Sequence, residues 1–311
     1  MNRKSTQTTA MAATVICHII WGFSFMFSRM ALESASVFQL LSHRFVLAFL
    51  GMNLLLLTGK IRMDLRKKGI GPLLLLGLMQ PVLYFIGEQY GILHSSTIFS
   101  GVMIANIPIV ATLASWPILK EKTTGRQLLF SLISVGGVIG IGLLSGSGGA
   151  LDLIGLAALL LAVASAAAYL MLSRGISDRY SPFERTYVMM ALSSLVFTAF
   201  SFLESGFDLS AYIKPFSGTT YLISILYLSL LSSVIAFFLS GYALTHLTVA
   251  RESVFSNLTT VVSVFAGAVF LHEPFTWLSL IFCLLILLGI WGVQRAAQKP
   301  DQQMPPGGKS S

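Results

Sequence analysis

A small set of polar side chains sits inside long runs of Leu, Ile, Val, Ala, Phe and Gly, and these are the groups with chemistry to offer. Arg44 and Glu88 are ionisable groups set well inside such runs, and His43 adjoins Arg44. Asn106 and Asn257 bring amides, while Trp21, Ser24, Tyr84, Tyr169 and Tyr242 bring aromatic faces and hydrogen-bonding tips. In hydrocarbon such groups are costly, so each must find a partner or face a polar cavity. Their chemistry is that of binding. Reaction chemistry needs other sets: Asp64, Asp152, Asp178, Asp208 and Asp301 all map to loops or the tail, and the five histidines are scattered. Cys17 and Cys283 lie in apolar stretches with no metal-ligand spacing, and no GxxxxGK[ST] loop is present to cradle ATP. No catalytic residue, metal site or cofactor is expected.

Position along each run sorts the candidates. At ~1.5 Å rise per residue, Arg44 lies about 12 Å from the outer end of its run and Glu88 about 8 Å from the outer end of the next. They can therefore share a depth, either as a pair that gates or touches a solute, with His43 nearby, or as an ion pair that only neutralises two charges. Asn106 is two residues from Pro108, whose ring removes a helix hydrogen bond and frees the Ile104 carbonyl. An amide beside a free carbonyl makes a polar spot, so Asn106 and Asn257 are read as cavity-lining, with interhelical packing as the alternative. Trp21 is halfway along its run and reads as a ligand contact. Arg29 and Arg174 end their runs, where a cation complements the helix dipole and snorkels to headgroups. Glu121 and Glu273 read as turn residues, and His18 as a packing group.

The elements that must position these residues follow from composition. Of the 311 residues 55% are hydrophobic and only 10% charged, against roughly 25% charged in soluble domains. Apolar stretches of spanning length recur along the chain, at 10–30, 36–58, 70–93, 96–119, 126–145, 153–174, 184–204, 219–243, 249–271 and 275–295. The fold class expected is an all-α membrane protein with ten transmembrane helices and the lipid bilayer as solvent. The net charge of +8 comes from Lys and Arg in short loops, such as Lys60, Arg62, Arg66, Lys67, Lys68, Lys120, Lys122 and Arg126. That is the positive-inside pattern rather than a nucleic-acid surface, and it puts both termini on the cytoplasmic side of the cytoplasmic membrane. Residues 1–9 and 296–311 are expected to be cytoplasmic tails, the second disordered. Oligomeric state stays open.

Sliding the chain by 152 residues superposes Tyr90 on Tyr242, Val110 on Val262, Glu121 on Glu273, Phe130 on Phe282, Gly137 on Gly289 and Gly140 on Gly292. Ser28-Arg29 and Ser173-Arg174 correspond at a slightly different offset. The two repeats, 10–145 and 153–295, hold five runs each, an odd number. The second copy is therefore expected upside down in the membrane, the architecture that supports alternating access around a site near the midplane.

On the Trp21-Gly22 pair, Phe38 with Arg44, and the repeated endings Asn106-Ile107-Pro108 to Leu119-Lys120-Glu121 and Asn257 to Leu271-His272-Glu273, the chain resembles the ten-helix EamA branch of the drug/metabolite transporter superfamily. The likeness departs at Thr260, where a proline is expected, and at Ser131 and Cys283, where glycines are. It implies a central cavity lined by spans 1–4 and 6–9, with 5 and 10 peripheral, and solutes among amino acids, other metabolites and drugs. The function expected is secondary transport of a small organic solute, in the direction of export, by a protein that is not an enzyme; a channel or facilitator is the alternative.

Overall fold

In the computed structural model, residues 3–59, 63, 65, 68–107, 109–110, 125–145, 152–247 and 256–297 are described. Among them every regular element is helical. The helices are α1 (Arg3–Leu32), α2 (Val37–Leu57), α3 (Gly71–Leu93), α4 (Thr97–Ile104), α5 (Gly125–Ser145), α6 (Leu153–Gly175), α7 (Pro182–Ser205), α8 (Thr219–His246), α9 (Ser256–Phe270) and α10 (Trp277–Ala297). Six of these, α1 to α3 and α6 to α8, are long and apolar enough to cross a membrane; α5, α9 and α10 carry shorter apolar stretches. Large apolar side chains point outward all round, among them Leu54, Leu195 and Trp277, each at least 66% exposed, as a lipid-facing surface requires. The helix at the N-terminus begins at Arg3, inside the segment expected to be a tail. A short helix, Leu209–Ile213, occupies the loop after α7. Of the expected disordered tail, residues 296 and 297 continue α10; the rest of it and the Glu121 turn lie outside the described residues.

Local sequence sets the helix starts. Ser36 accepts from the Gln39 amide while Gln39 reaches back to Ser36, and Ser181 with Glu184 repeats this at the start of α7. Each box satisfies two backbone donors that helix geometry leaves free. Asp152 caps α6 by accepting from the Ile154 and Gly155 amides.

Two helices break midway. In α3 the break is at Gln80, whose φ of −146° and ψ of 120° are extended, as expected of a residue that precedes a proline, here Pro81. In α8 a wide π turn runs over Tyr227–Ile235. Such a turn loosens the backbone ladder and leaves carbonyls for other donors. Trp21 Nε1 uses one, donating to Ser232 O at 3.2 Å; beside it Cys17 Sγ donates to Ala236 O at 3.2 Å and Tyr227 Oη to Ile20 O at 2.9 Å, so that three bonds join α1 and α8.

Packing pairs α5 with α10, α2 with α7, α3 with α6, and α1 with both α8 and α9. The α5–α10 contact is reciprocal. Gly137 lies against Phe282 and Ile286, Gly289 against Phe130 and Ser134, Gly140 against the Phe282 ring and Gly292 against the Phe130 ring. A methyl group on Gly137 would stand 2.9 Å from Phe282 O, and one on Gly289 2.7 Å from Phe130 O. Only a residue without Cβ allows this approach, and the close contact is what holds two helices together where lipid offers no hydrophobic driving force.

Candidate functional site

A cavity of about 670 Å³, its open mouth included, lies between α1, α3, α6, α9 and the segment at the end of α4. Its wall is His18, Trp21, Ser24 and Phe25 from α1; Gln80, Tyr84, Phe85 and Glu88 from α3; Ile104 and Ile107; Ala166, Tyr169 and Leu170 from α6; and Thr259 from α9. Helix periodicity explains the set: Trp21, Ser24 and Phe25 share one face, as do Ala166, Tyr169 and Leu170, and Tyr84 lies one turn from Glu88. Gly22 lets α1 approach α9 so closely that a methyl there would stand 3.0 Å from Thr259 O. That approach brings Thr259 Oγ1 to 2.9 Å from His18 Nδ1. The break in α3 places Gln80 in the wall, and the His18 and Trp21 rings meet edge to face at 5.4 Å between centroids.

Glu88 is the one carboxylate in this wall. It is 3% exposed; Tyr84 Oη donates to one oxygen at 2.8 Å and Gln89 Nε2 to the other at 2.8 Å. The expected contact pair with Arg44 is not formed. Arg44 instead donates from Nε to Ser233 Oγ at 2.8 Å and from Nη2 to Ser232 Oγ at 2.9 Å, with its guanidinium 4.1 Å from the Phe85 ring centroid. The π turn of α8, which offers two consecutive serines, wins the guanidinium, and the two charges act on each other only through space.

Of the residues expected in a site, Trp21, Ser24, Tyr84, Glu88 and Tyr169 come together in this cavity. Arg44 stands behind Phe85. His43 takes no part in the wall, its Nδ1 2.6 Å from Tyr221 Oη and its ring packed on Tyr212 and Phe216. Asn106 turns towards α5: Nδ2 donates to Val102 O, and Oδ1 accepts from Ser134 Oγ at 3.0 Å, so its neighbours Ile104 and Ile107 face the cavity instead. Tyr242 is half-buried against His246, 4.6 Å away between centroids. The side chain of Asn257, and Pro108, lie outside the described residues. His18, Phe25, Gln80, Phe85 and Thr259 were not expected here. The signal that finds two of them is helical spacing, since His18 and Phe25 lie one turn to either side of Trp21 on one face. Helices α2, α7 and α8 supply none of the wall, unlike the lining that the family resemblance implied.

Around the cavity the remaining cations and acids tie the frame. Arg29 Nη1 donates to Ile92 O at 2.8 Å and Arg174 Nη1 to Leu244 O at 3.0 Å, each meeting the last turn of a neighbouring helix rather than its own. Glu273 accepts from the Thr97 and Ile98 amides at 2.8 and 2.9 Å, capping α4 from across the fold. Lys68 pairs with Glu184 at 2.8 Å, and His94 Nδ1 is 2.7 Å from Asp152 Oδ2. That last contact, with the two amides Asp152 caps, holds its carboxyl below the usual range.

With two repeated half-structures around one cavity in a membrane-spanning bundle, the chain has the build of a solute carrier. It belongs to the EamA-like transporter family, whose model matches residues 8–143 and again 153–295. A relative from Bacillus subtilis strain 168, the uncharacterized transporter YcxC, is 33% identical over 93% of this chain and 94% of its own length. An uncharacterized transporter of Archaeoglobus fulgidus is 26% identical over 88% of this chain and 95% of its own. A protein of known crystal structure shares the fold, with a TM-score of 0.64 at 16% identity, covering 96% of this chain and 97% of the other. The chain is an integral membrane protein of a small-solute transporter family.

Proposed function

We propose that the chain is a secondary transporter that carries a small organic solute across the cytoplasmic membrane by alternating access, in the direction of export. Ten crossings as two inverted five-helix repeats, 10–145 and 153–295, with both termini cytoplasmic, complete the reading. One observation carries it: both repeats contribute corresponding positions to the cavity wall. At the offset of 145 that relates Ser28-Arg29 to Ser173-Arg174, Trp21, Ser24 and Phe25 fall on Ala166, Tyr169 and Leu170, and all six line the cavity. At the offset of 152, Ile107 falls on Thr259, and both again line it. A site to which both copies contribute corresponding positions is one that each copy can close in turn. The solute contacts in this reading are Trp21, Ser24, Tyr84, Glu88 and Tyr169, with His18, Gln80 and Thr259 beside them. Asn106, Arg44, His43 and Tyr242 hold the surrounding helices, and Asn257 keeps the cavity-lining part read for it from the sequence.

A thermal-shift screen of the purified chain against amino acids, amines, nucleobases and sugars, followed by counterflow of each hit in proteoliposomes, tests the reading. Saturable counterflow is expected. Flux that rises linearly with concentration, without counterflow, would make the protein a channel and overturn it. Orientation has its own check: a cysteine at Ser210 should react with an impermeant reagent in intact cells and one at Gly69 should not.

A further inference from the structure

We propose that the cavity takes an organic cation, a primary amine or quaternary ammonium on an aromatic or apolar body, held by the Glu88 carboxylate among aromatic rings. This names the solute class of the transporter reading above and rests on it.

Glu88 lines the cavity, yet among the described residues no cationic side chain comes within ion-pair distance of it. A carboxylate offers about four acceptor positions, and Tyr84 and Gln89 use two. Carboxylate charge in a dry wall without a contact counter-ion is poorly compensated, and a cation carried in by the solute supplies what is missing. Arg44, on α2, acts on Glu88 only through space, because Ser232 and Ser233 hold it against α8 and it takes no part in the wall.

The rest of the wall suits the body of such a solute. Trp21, Phe25, Tyr84, Phe85 and Tyr169 present rings, and a cation over a ring face is attracted by its quadrupole. The protein already uses one of these rings in that way, with the Arg44 guanidinium over Phe85. Two rings are tethered at their polar tips, Trp21 to Ser232 O and Tyr84 to Glu88 itself, so they are held in place before the solute arrives. The other polar groups of the wall, on His18, Ser24, Gln80 and Thr259, are uncharged hydrogen-bonding groups or an imidazole; none offers a fixed cation to a carboxylate on the solute. An anion therefore meets Glu88 without compensation, and a zwitterion leaves its carboxylate without a cationic partner in the wall.

The test is equilibrium binding to the purified full-length chain of three probes of like shape: 2-phenylethylamine, 2-phenylethanol and L-phenylalanine. The amine should bind about tenfold tighter than the alcohol or the amino acid, the size expected of one desolvated charge interaction. Glu88→Gln should bring the amine down to the affinity of the alcohol and leave the alcohol unchanged. Equal binding of amine and alcohol, tighter binding of phenylalanine, or an amine affinity indifferent to Glu88→Gln overturns the proposal. If that variant does not fold, Glu88→Asp replaces it: withdrawing the carboxylate by one methylene should weaken the amine several-fold and spare the alcohol, and unchanged amine affinity overturns the proposal. The two readings fail separately. Counterflow of other solutes without amine binding removes the cation site and keeps the transporter, whereas amine binding without counterflow of any solute keeps the site and removes the transporter.

Discussion

At the α5–α10 contact the two halves of the chain are interchangeable, and around the cavity they are not. Gly137 and Gly140 receive Ile286 and Phe282 as Gly289 and Gly292 receive Ser134 and Phe130, so each copy presents the same notch to the same ring of the other. The frame keeps the same correspondence elsewhere: Arg29 reaches Ile92 O and Arg174 reaches Leu244 O, residues related by the two offsets already seen in the sequence. In the cavity the positions correspond but the residues have parted. Trp21 faces Ala166, Ser24 faces Tyr169 in the correspondence, and Glu88 has Ser240 as its counterpart, which is not in the wall. The two mid-helix breaks diverge similarly, since Gln80 opens to the cavity while Ser232 is closed over by Trp21 and Arg44. Positions that set helix distance are bound by backbone contact and tolerate no side chain. Positions facing a void are bound only by what enters it, and they are free to specialise in one half.

The strongest way to break this comparison is at the glycines. Gly137→Val and Gly289→Val each drive a side chain into a backbone oxygen of the other repeat and should cost about 3 kcal/mol apiece, measured by reversible unfolding in mixed micelles. Costs that differ several-fold would show that the contact is not reciprocal. Next in size are the arginines. Arg29→Met and Arg174→Met should each lower stability by about 1 kcal/mol, the net worth of one hydrogen bond, and combine additively because the two sites are far apart. The smallest effect sharpens the asymmetry. His94 corresponds to His246, but only His94 has a carboxylate, Asp152, which joins the first repeat to the second. Its carboxyl is held below the ordinary value of 3.8, so the stability it contributes is fully present above that pH and lost as pH falls below it. Asp152→Asn should therefore lower the melting temperature by a constant small amount from pH 7 to about pH 5, and the gap from the parent protein should close on further acidification. A gap that persists in acid would show that the charge of Asp152 does not cause it.

Much of the frame was legible in sequence because it is written locally. Runs of apolar residues act within a few residues of themselves, and the 152-residue offset already paired Phe130 with Phe282 and Gly137 with Gly289. The cavity was half legible: Trp21, Ser24, Tyr84, Glu88 and Tyr169 were expected, but Asn106 turned away and His18 turned in. A helix places successive side chains about 100° apart, so one residue's difference in facing decides between Asn106 and Ile107.

The sequence by itself determined that the chain is an apolar helical bundle, that it repeats, and which residues are too polar to sit in lipid without partners. Tertiary structure decided where Arg44 found its partners, 188 and 189 residues away, while Glu88 found its own within one turn of α3. Arg44 and Glu88 share a depth in sequence, yet each bonds to what its own helix rotation and its neighbour's backbone place within about 3 Å, the reach of a hydrogen bond. Serines on the π turn of α8 took the arginine, and Tyr84 with Gln89 took the carboxylate. Rotation about a helix axis is fixed by packing against distant segments, and no local pattern in the chain records it.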